Sequence, residues 1–156
     1  MDSNAQAEAG RSEATSVAVE ELDHIAINVS DLERAADFYV RVIGLTRHPT
    51  KSNWFLIGGH GAINVLPLPN FEPMTERYPT AHLAFRVKSL EATRDALLAA
   101  GLVPWQNSLQ WENRDVTDDT TSLDWGLGTL FVRDPDGNGI EFIQAGRGIF
   151  AQHPRA

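Results

Sequence analysis

The chain has no cysteine, which rules out disulfides, thiolate metal ligands and cysteine nucleophiles. Basic residues are scarce. Thirteen Lys and Arg stand against 21 Asp and Glu, for a net charge of −8. Nucleic acid and anionic membrane surfaces both need a basic footprint, so no nucleic-acid or membrane partner is expected. The acidic surplus favours neutral or cationic ligands. No apolar run approaches the roughly 20 residues of a membrane span. The first residues, MDSNAQAEAGRSEATS, lack the apolar centre of a secretory signal, so a cytoplasmic protein is expected. What remains is 156 residues with 42% hydrophobic content, enough for one compact unit or two small modules sharing a core. Any metal must be held by His, Asp, Glu or neutral oxygens.

The chain does contain a repeat. His24 matches His82, Ala26 matches Ala84 and Val29 matches Val87 at an offset of 58, and Gly44-Leu45 matches Gly101-Leu102 at an offset of 57. Two copies are too few for a solenoid and suggest a duplicated module that closes on itself. Each copy opens as a strand, whose side chains alternate between faces. Ile25, Ile27 and Val29 share one apolar face, as do Leu83, Phe85 and Val87, and these faces call for a helix. His24, Ala26 and Asn28 point the other way, with His82, Ala84 and Arg86 as their counterparts. One strand histidine is ordinarily a satisfied core or surface residue. Two at equivalent places become candidates for a site, although duplication alone would also preserve them.

After the first strand, Ser30-Asp31-Leu32-Glu33 reads as a capping box. Leu32, Ala35, Ala36, Tyr39, Val42 and Ile43 follow helical spacing, and Gly44 ends the helix. Core packing accounts for that stripe. A short strand fits within residues 45 to 53. Trp54 to Ile57, a Gly58-Gly59-His60-Gly61 turn and Ala62 to Leu66 read as a hairpin, giving a βαβββ module with His60 solvated. Four of the eight prolines (Pro67, Pro69, Pro73 and Pro79) fall in residues 67–80, a stiff linker that keeps two modules apart. The second module repeats the strand, and Ser89 caps a helix that Gly101 closes. Residues 103–127 exceed their counterpart in length and hold Trp105, Trp111 and Trp125, either as a pocket wall or as cover for the core edge. The expected organisation is a disordered tail over 1–19, module one over 20–66, the linker over 67–80, module two over 81–146 and a tail over 147–156.

The last hairpin runs from Gly128 to Arg133, turns at Asp134-Pro135-Asp136-Gly137 and returns from Ile140 to Gln144. Glu141 stands between Ile140 and Phe142 and so faces with the histidines. Aligning the hairpins sets Glu141 opposite Asn64. Four equivalent positions result: His24, Asn64, His82 and Glu141. Two imidazoles and a carboxylate suit Fe²⁺, Mn²⁺ or Zn²⁺ and leave coordination positions open, provided the fold brings them together. Asn28, Arg86, Trp54 and Phe131, with Trp105, Trp111 and Trp125, are the candidate substrate contacts.

The stretches LDHIAINVSDLERAADFYVRVIGL, AHLAFRV and LFVRDPDGNGIEFIQ resemble the vicinal oxygen chelate superfamily over residues 22–145. That superfamily includes glyoxalase I, extradiol dioxygenases, fosfomycin-resistance transferases, methylmalonyl-CoA epimerase and bleomycin-resistance proteins. The resemblance implies an α+β fold, with paired βαβββ modules forming an open, cup-like β-sheet barrel around one divalent metal. Ligand roles carry over to His24, His82 and Glu141. Asn64 takes the variable fourth corner and a role in catalysis. Fe²⁺ or Mn²⁺ is favoured, with Zn²⁺ and Ni²⁺ compatible.

Departures from the branches narrow the chemistry. Phe131 replaces the Tyr of extradiol dioxygenases and fosfomycin transferases. Ser122, Leu123 and Asp124 fill the window of the dioxygenase His. Asn64 replaces a glyoxalase Glu. The reading that follows is a metal-dependent enzyme on a small substrate chelating through vicinal oxygens, with glyoxalase-like lyase or isomerase chemistry. The alternatives are an Fe²⁺-dependent dioxygenase and a non-catalytic small-molecule binding or resistance protein. Exposed strand edges in a two-module chain point to a homodimer, with the site shared between chains.

Overall fold

Two helices organise the two sheets, and their caps show how local sequence sets the layout. The first strand, β1 (His24–Val29), leads into α1 (Leu32–Asp37), whose N-cap is Asp31. The Asp31 carboxylate accepts from the Arg34 amide at 2.9 Å. The expected capping box at Ser30 does not form, because Ser30 bonds to Asp136 instead. Past Asp37 the helix widens into a π-helical stretch, Phe38–Val42, where Ile43 N–H reaches Phe38 O at 3.1 Å. Gly44 closes the helix at φ +84°. The second helix, α2 (Leu90–Ala99), is capped by Ser89, as expected. It ends in a Schellman motif: Leu102 N–H bonds Leu97 O and Gly101 N–H bonds Leu98 O, both at 3.0 Å.

The structure, a computed structural model, describes residues 19–77 and 81–151. Most of the expected N-terminal tail, half of the expected C-terminal tail and residues 78–80 lie outside the described residues. After α1 come β2 (Thr46–Arg47), β3 (Trp54–Leu56) and β4 (Ala62–Pro67). After β5 (His82–Val87) and α2 come β6 (Trp105–Asn107), β7 (Asn113–Asp115), β8 (Leu130–Arg133) and β9 (Gly139–Gln144). The first sheet has the order β1-β4-β3-β2 and the second β5-β9-β8-β6-β7. In each, the first strand is parallel to the last strand of its module and the remaining pairs are antiparallel. The fold is α+β with two mixed sheets in a cup-like arrangement. The sheets are not joined into a barrel.

The second module exceeds the expected βαβββ pattern by one strand. β7 forms inside the long 103–127 connection and pairs with β6 at the sheet edge. Val116, Leu123 and Leu127 anchor this connection, all nearly inaccessible to water. Gly126 lets its backbone press onto β6: a Cβ there would stand 2.1 Å from Asn107 O.

One continuous core joins the helix-facing sides of both modules. It includes Val29, Tyr39, Phe55, Ile63 and Val65 from the first and Leu83, Leu90, Leu97, Leu130, Ile140 and Phe142 from the second. The linker therefore does not hold the modules apart. Leu68 N–H bonds Val29 O at 2.8 Å, and Pro73 and Met74 pack so closely on Gly137 that no Cβ would fit there.

The Asp-Pro-Asp-Gly turn between β8 and β9 is also an inter-module clamp. Asp134 accepts from the Tyr39 hydroxyl at 2.9 Å and from the backbone of Asp136 and Asn138. Asp136 accepts from Ser30 N–H, Ser30 Oγ and Arg34. Asn138 donates to Asn28 O at 2.9 Å. Sequence reading placed Tyr39 in the core stripe and the two aspartates in a turn, and nothing local announces their partnership.

Candidate functional site

Residues paired directly across strands share a sheet face. In the first sheet, Ala26, Asn64 and Trp54 form such a row. In the second, Ala84, Glu141, Phe131, Trp105 and Asp115 form the corresponding row, extended by two strands. His24 lies opposite Ala62 and His82 opposite Gly139. Glu141 thus stands at the Asn64 position, and Phe131 at the Trp54 position. All occupy the faces turned from the helices.

In the second module the ligand-type residues meet. His82 Nε2 donates to Glu141 Oε2 at 3.1 Å, and Glu141 is only 4% exposed. The edge of Phe131 packs on the His82 ring at 5.7 Å, and Trp105 stacks on Phe131 at 6.0 Å. Gly139 leaves room for the imidazole, since a Cβ there would stand 3.0 Å from that of His82.

In the first module His24 is half-open to solvent. Its Nδ1 donates to Asp23 at 2.6 Å, and its ring lies 4.8 Å from Trp54. Donation through Nδ1 leaves Nε2 with its lone pair, an orientation in which a histidine can coordinate a metal. Asn64 is half-buried, and its amide oxygen accepts from Asn53 at 2.8 Å. Asn53 was not singled out from sequence.

Among the described residues, no three His, Asp or Glu side chains gather where one ion could bind them. A cleft of about 250 Å³ runs between the β1 and β5 edges, lined by Ala26, Asn28, Phe71, His82 and Asn138 among others. It brings Asn28 and His82 together and leaves out Glu141 and His24. Arg86 is exposed on the His82 face of β5. Trp111 stands 41% exposed on the β6–β7 turn at φ +65°, and Trp125 packs under Arg114 at 4.7 Å. Of the three loop tryptophans, Trp105 alone belongs to the cross-strand row of Glu141.

The donor chemistry fits a divalent ion. An imidazole and a carboxylate lie adjacent in one half, and the other half offers an oriented imidazole with a neutral amide beside it.

No curated protein matches the chain at a significant level. Among solved structures, it is similar to a virulence protein from Salmonella typhimurium at 27% identity, covering 81% of this chain and 98% of that one with a TM-score of 0.52. It is similar to the fosfomycin resistance protein FosX from Listeria monocytogenes at 17% identity, covering 82% and 95% with a TM-score of 0.57. TnmS3, an antibiotic binding protein from Streptomyces sp. CB03234, matches at 20% identity over 83% and 98% with a TM-score of 0.53. Residues 21–142 match one family as a block, and the chain belongs to the Glyoxalase/Bleomycin resistance protein/Dioxygenase superfamily.

Proposed function

We propose that the protein is a divalent-metal-dependent enzyme acting on a small substrate that presents two neighbouring oxygens. Its complete site forms between two copies of the chain. His24, with Asn64 and Trp54, comes from one protomer, and His82 and Glu141, with Phe131, come from the other. The observation that carries this reading is the His82–Glu141 pair at 3.1 Å, two ligand-type side chains that no third His, Asp or Glu among the described residues completes into a metal-holding group. His24 sits at the equivalent place in the other module with Nε2 left for coordination. β1 and β5 each end a sheet and flank the cleft, so each keeps a strand edge there for a second copy to approach.

Fe²⁺ or Mn²⁺ is the favoured ion. When bound it would supply Lewis-acid stabilisation of negative charge developing on a substrate oxygen. The chain's own groups bind and orient. Phe131 and Trp54 wall off water on either side. Asn64 offers an amide to a substrate oxygen and cannot act as a base at neutral pH. Lyase or isomerase chemistry is favoured over oxygen activation, because the Tyr and His of the ring-cleaving branch are absent.

A second reading has its own observation. The His82–Glu141 bond satisfies the buried carboxylate without a metal, as a metal-free binding protein would require. Elemental analysis decides between them. The enzyme reading expects about one divalent ion per chain, strongly reduced in His24→Ala, His82→Ala and Glu141→Ala. Full metal content in Glu141→Ala would reject the ligand assignment. Metal-free wild-type protein that binds ligands with unchanged affinity after metal loading would favour the binding reading.

A further inference from the structure

The concave row of the second module continues past Glu141 and Phe131 to Trp105 and Asp115, one residue on each of four adjacent strands. At about 4.8 Å per strand, Trp105 stands about 10 Å from Glu141. The linker delivers a cation to this end. Arg77 Cζ lies 4.6 Å from the Trp105 ring centroid, and its guanidinium pairs with the Asp115 carboxylate. Asn113 Nδ2 holds the Arg77 carbonyl at 3.0 Å. Arg77 and Asp115 are both partly open to solvent, whereas Trp105 is 6% exposed.

The indole Nε1–H of Trp105 is buried with no acceptor among the described residues. A buried N–H donor without an acceptor is costly and needs an explanation. Arg77 carries five N–H donors, and Asp115 engages one terminal nitrogen. An unmet indole donor beside a guanidinium marks a place for an anionic acceptor, on a chain whose overall charge is −8.

We propose that Arg77 and Trp105 form a carboxylate subsite, and that the substrate is a planar acid. Its two neighbouring oxygens would lie toward His82 and Glu141 and its carboxylate toward Arg77, between protein groups that two strand intervals set about 10 Å apart. This rests on the functional reading above and adds the substrate class. An incoming carboxylate matches the guanidinium fork and competes with Asp115 for it, so the Arg77–Asp115 pair opens as the substrate seats.

Two probes isolate the charge. 3,4-Dihydroxybenzoate and catechol share the ring and the oxygen pair and differ in the carboxylate. Calorimetry on the Zn²⁺-loaded full chain should find the acid bound about tenfold tighter, the scale of one charge-assisted contact. The preference should vanish in Arg77→Gln, persist in part in Arg77→Lys and grow in Asp115→Asn. The Trp105 indole proton resonance should move with the acid and not with catechol. Equal affinities in wild type, a preference unchanged in Arg77→Gln, or binding of neither compound would overturn the proposal. A benzoate titration of metal-free protein separates it from the metal reading. If the chain holds no metal yet benzoate shifts the Trp105 resonance in wild type and not in Arg77→Gln, the subsite stands while the metal reading falls. If the metal is present and benzoate leaves that resonance in place, the subsite fails alone.

Discussion

The Tyr39 hydroxyl donates to Asp134 at 2.9 Å across 95 residues of sequence, inside the core shared by the two modules. It is a neutral-to-charged hydrogen bond, and Asp134 also receives Asp136 N–H, Asn138 N–H and the Asn138 amide. Tyr39→Phe should therefore destabilise by about 1.5–3 kcal/mol, since the remaining donors still satisfy the carboxylate. Asp134→Ala should cost more, because it strands several buried donors at once. Urea unfolding with unchanged slope checks both.

Burial, followed by the Asp134 carboxylate, pushes the Tyr39 phenol far above its ordinary range. The sign follows from proton counting. Above about pH 10 the unfolded chain releases the phenol proton and the folded chain keeps it, so the unfolded state binds fewer protons and stability falls. The stabilising contribution is fully present below pH 10 and is lost as pH rises. Wild type should lose up to about 1.4 kcal/mol per pH unit more than Tyr39→Phe between pH 10 and 11. Parallel unfolding curves of the two proteins across that window would contradict the assignment.

Subunit mixing tests the shared site. His24→Ala and His82→Ala proteins should each be inactive. Co-refolded in equal amounts, half the dimers are mixed, and each mixed dimer has one intact site of two, so about a quarter of all sites recover. Metal content should recover in step. No recovery after verified exchange would confine each site to one chain.

Asn64 tests the corner that differs between the modules. Asn64→Ala should leave metal occupancy nearly intact and lower turnover by about tenfold, the scale of one hydrogen bond to substrate. Loss of metal with no separate effect on turnover would make Asn64 a ligand instead.

Much of the fold was legible because duplication doubles each signal. Strand alternation placed His24, Asn64, His82 and Glu141 on corresponding faces, and the pairings Ala26–Asn64 and Ala84–Glu141 agree with that alignment. What stayed hidden depends on tertiary neighbours. Ser30 matched a capping pattern, but Asp136 bonds it from the other module and Asp31 takes the cap. The proline-rich segment looked like a spacer, and only the packed structure lays Arg77 on Trp105. Whether the two histidines meet depends on how the modules dock, which no spacing encodes.

The π-helical stretch at Phe38–Val42 accounts for an irregularity in the repeat. From cap to closing glycine, Asp31 to Gly44 spans one residue more than Ser89 to Gly101, which is why the repeat offset drops from 58 to 57. A π-turn is how a helix stores a surplus residue without shifting its ends. The wider turn carries Tyr39, the residue that reaches Asp134, and α2 contains no such turn. The extra residue therefore makes the two halves unequal: only the first helix carries the clamp that fixes one module to the other. Deleting the partly exposed Val40 should return the stretch to α-helical winding, rotate Tyr39 off Asp134 and loosen the docking of the modules, while each sheet keeps its own strand pairing.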